Sequence, residues 1–146
     1  MKTSTNLTGM TGVYLAAAEL SNRGFIVSPT SRSARGADLL VTDQGCQRAW
    51  SVQVKTNHRK KNSWRLTETA RSFNSDSHIY IFVNLTGDTR PEYTIAPSSR
   101  VVDKMKGDGT QCYVNQSDLR SGTSEGWELF GDSVPKNHRR NRRRNP

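Results

Sequence analysis

Hydrophobic and polar positions alternate along two neighbouring runs within residues 36–56, which predicts two strands. In the first run Leu39 and Val41 alternate with Asp38, Leu40 and Thr42. In the second, Trp50, Val52 and Val54 alternate with Ser51, Gln53 and Lys55. A period of two is typical of strands that have one apolar face. The Asp-Gln-Gly stretch at residues 43–45 supplies turn chemistry between the runs. The two strands are therefore expected to form a hairpin.

The polar face of this hairpin carries the candidate site. Gln53 and Lys55 are two residues apart, so their side chains leave the strand on the same side. Asp38 stands at the entry to the first strand, which in a hairpin lies beside the exit of the second. The sequence thus predicts that Asp38, Gln53 and Lys55 form one polar patch.

The rest of the chain predicts a mixed α/β sandwich. Residues 9–23 have hydrophobic residues at helical spacing, and Gly24 follows as a stop signal. Residues 79–83 are an almost unbroken apolar run, typical of a strand buried on both faces. Further strands are predicted at residues 25–27, 92–96 and 111–114, and short helices at residues 65–74 and 97–106. Residues 58–64 are predicted to form a basic loop, and residues 127–130 to pack against the domain. This order of elements favours one mixed sheet with helices around it.

Length and charge point to a single domain with a polyanionic partner. The 146 residues carry a net charge of +9 with a pI of about 10.1, most simply explained by nucleic acid binding. Six positive charges fall in residues 136–146 without an acid, which leaves +3 for the remainder. We expect a flexible N-terminus at residues 1–8, a folded domain at residues 9–131 and a disordered basic tail at residues 132–146.

Several classes of protein are disfavoured by composition. Two cysteines, Cys46 and Cys112, are too few for a disulfide framework, and the N-terminus does not resemble a secretory signal. The apolar runs are too short for a membrane span, so no membrane partner is expected. The three histidines are scattered and have no zinc-binding spacing. An intracellular, cytoplasmic setting is the natural expectation.

The combination of these motifs resembles the PD-(D/E)XK nuclease superfamily. Its core pattern is a helix with an acidic residue, an Asp at a strand entry and a strand ending in (Glu/Gln)-x-Lys. Here the matching residues are Glu19, Asp38 and Gln53-x-Lys55, and the resemblance extends over residues 9–96. It is closest to the small Holliday-junction-resolvase-like and restriction-endonuclease-like members. It implies a three-layer sandwich with a central mixed β-sheet flanked by helices.

The resemblance also implies a metal-dependent endonuclease that hydrolyses DNA phosphodiester bonds. Asp38, Gln53 and Glu19 would bind Mg²⁺ or Mn²⁺, and Lys55 would position the attacking water or stabilise developing charge. Two departures stand out: Gly36-Ala37 replaces the usual Pro before the Asp, and Gln53 replaces the usual carboxylate. The loss of one negative charge should weaken metal binding unless Glu19 compensates.

Each of these residues also has a purely structural interpretation. Asp38 could cap local backbone at the strand start, and Lys55 could be a solvated strand end. Glu19 could form a helical salt bridge with Arg23, four residues on. For Trp64, core packing is favoured over stacking on a base, and Trp50 and Trp127 are expected in the core.

Basic residues on both sides of the patch are expected to contact phosphates of nucleic acid. They are Arg32 and Arg35 before it, Arg59, Lys60 and Lys61 after it, and the tail residues Arg139, Arg140, Arg142, Arg143 and Arg144. A solvated basic loop is the alternative.

Three functions remain open from the sequence: an active DNA nuclease, a catalytically inactive nucleic-acid-binding module of the same fold, and an accessory protein that acts in a dimer or larger complex. Small resolvase-like nucleases often pair, because two strands must be cut, and this resemblance makes a homodimer one candidate assembly. Metal dependence separates the first function from the second.

Overall fold

The computed structural model describes residues 4–31 and 34–134, which contain two β-sheets. The strands, in chain order, are β1 (Ile26–Pro29), β2 (Leu39–Thr42), β3 (Ala49–Asn57), β4 (Ser63–Leu66), β5 (His78–Asn84), β6 (Glu92–Pro97) and β7 (Cys112–Asn115). The larger sheet has five strands in the order β1-β2-β3-β5-β6, and the smaller sheet pairs β4 with β7.

The central sheet is mixed, as predicted. Strands β1, β2 and β3 pair antiparallel, and β5 pairs antiparallel with β6. Between these two groups, β3 and β5 run parallel, with Gln53 in register with Tyr80. Every residue of β5 is buried, which confirms a strand covered on both faces.

Helix α1 (Thr5–Asn22) covers one face of the sheet and begins four residues before its predicted start. The Oγ of Ser4 accepts a hydrogen bond from the Leu7 amide at 3.2 Å and so caps the first turn. The polar character of residues 1–8 had predicted a flexible N-terminus. The cap at Ser4 instead allows the helix to begin within this segment. The helix lies very close to β3: a Cβ on Gly12 would stand 1.8 Å from the Thr56 Oγ1.

The core beneath α1 joins the helix to the C-terminal part of the domain. Val13, Ala16 and Leu20 of α1 pack with the inward residues of β2, β3 and β5. Trp127 and Phe130, from a short 3-10 helix, close the same core, which confirms the packing contact predicted for residues 127–130. Trp50 also belongs to this core, with its ring edge-on to Phe25.

The opposite face is covered by the small sheet together with α2 (Ser98–Lys104) and α3 (Gln116–Leu119). The predicted loop at residues 58–64 and helix at residues 65–74 are wrong in part, because β4 forms there and only a 3-10 helix (Glu68–Ser72) follows. Strand β4 is only four residues long, so its alternation is too brief to be recognised. Trp64 is buried, and its indole N–H donates to the Val83 carbonyl at 3.2 Å.

The layers therefore follow the predicted α/β sandwich, except that a two-stranded sheet contributes to one flanking layer. Across residues 4–31 and 34–134, no helix is long and apolar enough to cross a lipid bilayer.

Candidate active site

Asp38 and Gln53 face each other across β2 and β3. The Asp38 amide donates to the Val52 carbonyl at 2.7 Å, and its Oδ2 accepts from the Val54 amide at 2.7 Å. The pairing of Leu39 with Val52 sets Asp38 opposite Gln53. Because side chains alternate along strands, both residues lie on the face opposite α1.

Lys55 lies on the same face, two residues after Gln53, and its side chain is half-buried. Burial lowers the pKa of the Lys55 ammonium from 10.5, and the negative charge of Asp38 opposes this effect. The structure therefore brings Asp38, Gln53 and Lys55 together, with the lysine electrostatically coupled to the aspartate.

A cavity of ≈ 330 Å³ opens beside this group. Its walls come from the segment before β2, the middle of β3 and β5, and the region of the 3-10 helix after β4. The lining residues are Arg35, Gly36, Gln53, Lys55, Leu66, Thr67, Thr69, Ala70, Ser72, Phe73 and Tyr80. Asp38 is not part of the lining, whereas Gln53, which lies opposite it on β3, is. Two cationic side chains and several hydroxyl groups suit the cavity to an anionic ligand.

His78 holds the segment that leads into Asp38. Its Nε2 hydrogen-bonds to the Gly36 carbonyl, and its ring stacks on Phe73 with centroids 5.0 Å apart. Gly36 has a φ of +72°, a conformation that favours glycine. The entry to β2 is thus fixed by contacts with β5 and with the residue after the 3-10 helix.

We predict that Gly36→Ala destabilises this entry. An added Cβ would lie 2.4 Å from the Phe73 ring, in addition to the strain of a positive φ. The expected loss is ~1–3 kcal/mol of unfolding free energy, measured by urea denaturation. Gly87→Ala is the matched control, since Gly87 has a φ of +73° and nothing within 4 Å of an added Cβ. Equal losses in the two variants would show that the Phe73 contact is unimportant.

Glu19 does not join the other three residues. Its carboxylate lies 3.5 Å from Arg23 and 3.5 Å from Arg90, and Arg90 also pairs with Glu125 at 2.9 Å. The physical reason is the position of α1, which packs on the face of the sheet opposite Gln53 and Lys55. The prediction that Glu19 is a metal ligand beside Asp38 is therefore wrong, and the alternative, a salt bridge with Arg23, is present.

The predicted phosphate-binding residues are dispersed. Arg35 lines the cavity, whereas Arg59, Lys60 and Lys61 lie in the exposed loop after β3. Lys60 pairs with Glu92 at 2.9 Å. Arg32 and the tail residues Arg139, Arg140, Arg142, Arg143 and Arg144 lie outside the described residues.

Metal-binding capacity at the site rests on two oxygen donors. Among residues 4–31 and 34–134 no group of three or more His, Cys, Asp or Glu is arranged to hold a metal ion. Asp38 offers a carboxylate and Gln53 an amide oxygen. Mg²⁺ is commonly held by one or two carboxylates together with water and substrate phosphates. The donor set therefore fits an ion shared with a bound phosphate, not one enclosed by protein.

Sequence patterns did not identify Tyr80, His78, Phe73 or the threonines of the cavity wall as site residues. Both Tyr80 and His78 belong to the buried strand β5, where core packing is the simplest interpretation of an aromatic residue. Their position beside Gln53 depends on the parallel register of β3 and β5, for which no local signal exists.

Two solved structures are similar to this chain. A bacterial homing endonuclease, I-Ssp6803I, superposes with a TM-score of 0.60 at 16% identity, covering 87% of this chain and 92% of that chain. A Holliday junction resolvase, Hjc from Archaeoglobus fulgidus, gives a TM-score of 0.44 at 12% identity, covering 71% of this chain and 88% of that chain. No family model and no curated protein sequence matches the chain.

At 16% identity, the likeness to the homing endonuclease establishes the fold alone. The restriction-endonuclease-like architecture predicted from the sequence, a central mixed β-sheet flanked by helices, is confirmed.

Proposed function

We propose that this chain is a divalent-metal-dependent endonuclease that hydrolyses phosphodiester bonds in DNA. The observation that carries the proposal is the convergence of Asp38, Gln53 and Lys55 on one face, beside a cationic cavity. The same fold occurs in a homing endonuclease, which supports a nuclease over other uses of an anion-binding cavity.

In this proposal, Asp38 and Gln53 hold Mg²⁺ or Mn²⁺ through their side-chain oxygens. The ion, when bound, supplies polarisation of the phosphoryl oxygens and a lower pKa for its bound water. Lys55 stabilises the negative charge that develops on the phosphoryl group. Asp38 contributes a second effect, because its charge opposes the lowering of the Lys55 pKa and so favours the ammonium form.

Cationic side chains around the site would bind the neighbouring phosphates. Arg35 lies in the cavity wall and is the first candidate, while Arg59 and Lys61 are exposed on the loop after β3. The basic tail would add an electrostatic anchor without sequence preference. Cutting both strands of a duplex needs two such sites, so a pair of chains belongs to the proposal and is measurable by light scattering on the protein–DNA complex.

Gln53→Glu is predicted to lower the Mg²⁺ concentration required for half-maximal cleavage by about 10-fold. The substitution adds a carboxylate beside Asp38, and the affinity of a hard cation increases with the number of charged ligands. Gln47→Glu is the control, since it adds the same charge in the exposed turn between β2 and β3. An unchanged Mg²⁺ requirement in Gln53→Glu would remove Gln53 from the ligand set.

A second candidate function is a nucleic-acid-binding module that retains the fold without catalysis. The observation that favours it is the presence of a single carboxylate, Asp38, in the group formed with Gln53 and Lys55. Such a protein would bind DNA in a salt-sensitive manner and be indifferent to the metal.

A cleavage assay separates the two functions. Supercoiled plasmid, linear duplex, single-stranded DNA and a four-way junction are each incubated with Mg²⁺, Mn²⁺ or EDTA. The nuclease proposal predicts metal-dependent cleavage of at least one substrate and its loss in Asp38→Ala and Lys55→Ala. Binding without cleavage on every substrate would favour the binding module.

A further inference from the structure

The hydroxyl of Tyr80 is a buried polar group without a partner. Tyr80 is 1% exposed, and its Oη has no hydrogen bond within the part of the chain that the structure describes. Buried tyrosine hydroxyls usually find a partner, and a buried polar group without one is costly, at about 1–3 kcal/mol. An orphaned hydroxyl of this kind calls for an explanation.

Its location supplies one. Tyr80 of β5 is in register with Gln53 of β3, so the two side chains stand next to each other on one face of the sheet. Tyr80 also lines the cavity together with Gln53, Lys55 and Arg35. The residue that carries the unpartnered hydroxyl therefore belongs to the wall of the proposed active site and not to a remote part of the core.

The ring of Tyr80 is held firmly. It stacks on Phe82 with centroids 5.4 Å apart and planes 7° apart, and it meets the His78 ring edge-on at 5.4 Å. Burial raises the pKa of Tyr80 to about 12, so the phenol keeps its proton at neutral pH. The group is thus a fixed hydrogen-bond donor on a residue whose cavity is also lined by Lys55 and Arg35.

We propose that the Tyr80 hydroxyl donates a hydrogen bond to a non-bridging oxygen of the phosphodiester that occupies the cavity. This inference rests on the proposed function, since it assumes that the cavity binds the phosphate backbone of DNA. In the free chain the hydroxyl is covered, so a wall side chain must rotate to let the phosphate approach. Gln53 and Lys55 are the flexible, half-buried side chains on this stretch of the wall.

Tyr80→Phe tests the proposal, because it removes only the hydroxyl. Cleavage at saturating metal should fall about 10- to 100-fold, the usual effect of losing one hydrogen bond to a charged group. The Tm should stay the same or increase, since the hydroxyl has no partner to lose. Tyr93→Phe is the control: Tyr93 is equally buried but packs in the other core, near Arg90. Removing the Tyr93 hydroxyl should leave cleavage unchanged.

A spectroscopic measurement on the intact chain gives a readout that does not depend on cleavage. Tyrosine labelled with ¹³C at Cζ provides one signal for each of the four tyrosines, and the Tyr80→Phe spectrum assigns the one that belongs to Tyr80. Adding a short DNA duplex in EDTA should shift the Tyr80 signal, because the phenol acquires a charged acceptor, and leave the Tyr93 signal in place.

The outcomes distinguish this inference from the proposed function. If the natural chain cuts DNA while Tyr80→Phe cuts equally well and the Tyr80 signal does not move, the inference is overturned and the nuclease stands. If no DNA is cut in any metal, the nuclease proposal fails, and the Tyr80 signal alone decides whether the hydroxyl meets phosphate. A lower Tm in Tyr80→Phe with unchanged cleavage would mark the hydroxyl as merely structural and would also overturn the inference.

Discussion

Lys55→Met is expected to reduce DNA cleavage by about 100- to 1,000-fold while making the fold more stable by about 0.5–2 kcal/mol. The loss of activity follows from removing the cation that stabilises charge on the phosphoryl group. The gain in stability follows from burial, which lowers the pKa of the lysine and so disfavours the ammonium form in the folded chain. Methionine keeps a similar length without a buried charge.

The difference in unfolding free energy between Lys55→Met and the natural chain should become smaller as the pH rises. The folded chain releases the Lys55 proton at a lower pH than the unfolded chain, whose lysine has a pKa near 10.5. In the interval between the two values the unfolded state binds more protons, so the natural chain gains stability as pH rises. The advantage of Lys55→Met should therefore narrow as the pH approaches 10.5.

Urea denaturation across pH measures this effect, with Lys104→Met as a control at an exposed lysine at the end of α2. A Lys55→Met chain that is less stable than the natural chain at neutral pH would contradict the account. So would cleavage at the natural rate.

Asp38→Asn is expected to reduce DNA cleavage by a factor similar to that of Lys55→Met. It is also expected to lower the pKa of Lys55 further. Asparagine can still accept the hydrogen bond from the Val54 amide, so the entry to β2 should keep its conformation. The lost charge, however, is the one that opposes the effect of burial on Lys55. The metal site loses its carboxylate at the same time.

The pKa of Lys55 can be followed by NMR of the labelled lysine Cε and Nζ nuclei, with Lys55→Met to assign the signal. Asp88→Asn, in the exposed turn between β5 and β6, controls for the general change in net charge. A Lys55 pKa that stays constant or increases in Asp38→Asn would show that the two groups are not coupled.

Local sequence patterns were sufficient to predict the hairpin of β2 and β3, which carries the candidate site. Asp38 and Thr42 on either side of Leu39 and Val41 indicated which side of β2 faces the core, although Leu40 between them is also apolar. The alternation in β3 did the same for Gln53 and Lys55. A short turn then left little freedom in how the strands pair. The proximity of Asp38 to the other two residues was therefore predictable.

Contacts that depend on long-range packing were not predictable in this way. The partners of Glu19 include Arg90, 71 residues away, and helical spacing within α1 does not reveal which face of the sheet the helix covers. The neighbour of Gln53 on its other side, Tyr80, is reached only through the parallel pairing of β3 with β5. Parallel strands require a crossover whose path has no short-range signature.

The central claim is that Asp38, Gln53 and Lys55 carry out metal-dependent hydrolysis of DNA. Its most direct test is the rate of nicking of supercoiled plasmid by the natural chain, Asp38→Asn and Lys55→Met, each with Mg²⁺ and with EDTA. The account predicts nicking by the natural chain with Mg²⁺ alone and its near-complete loss in both variants. Equal nicking by all three proteins, or nicking that persists in EDTA, would contradict it.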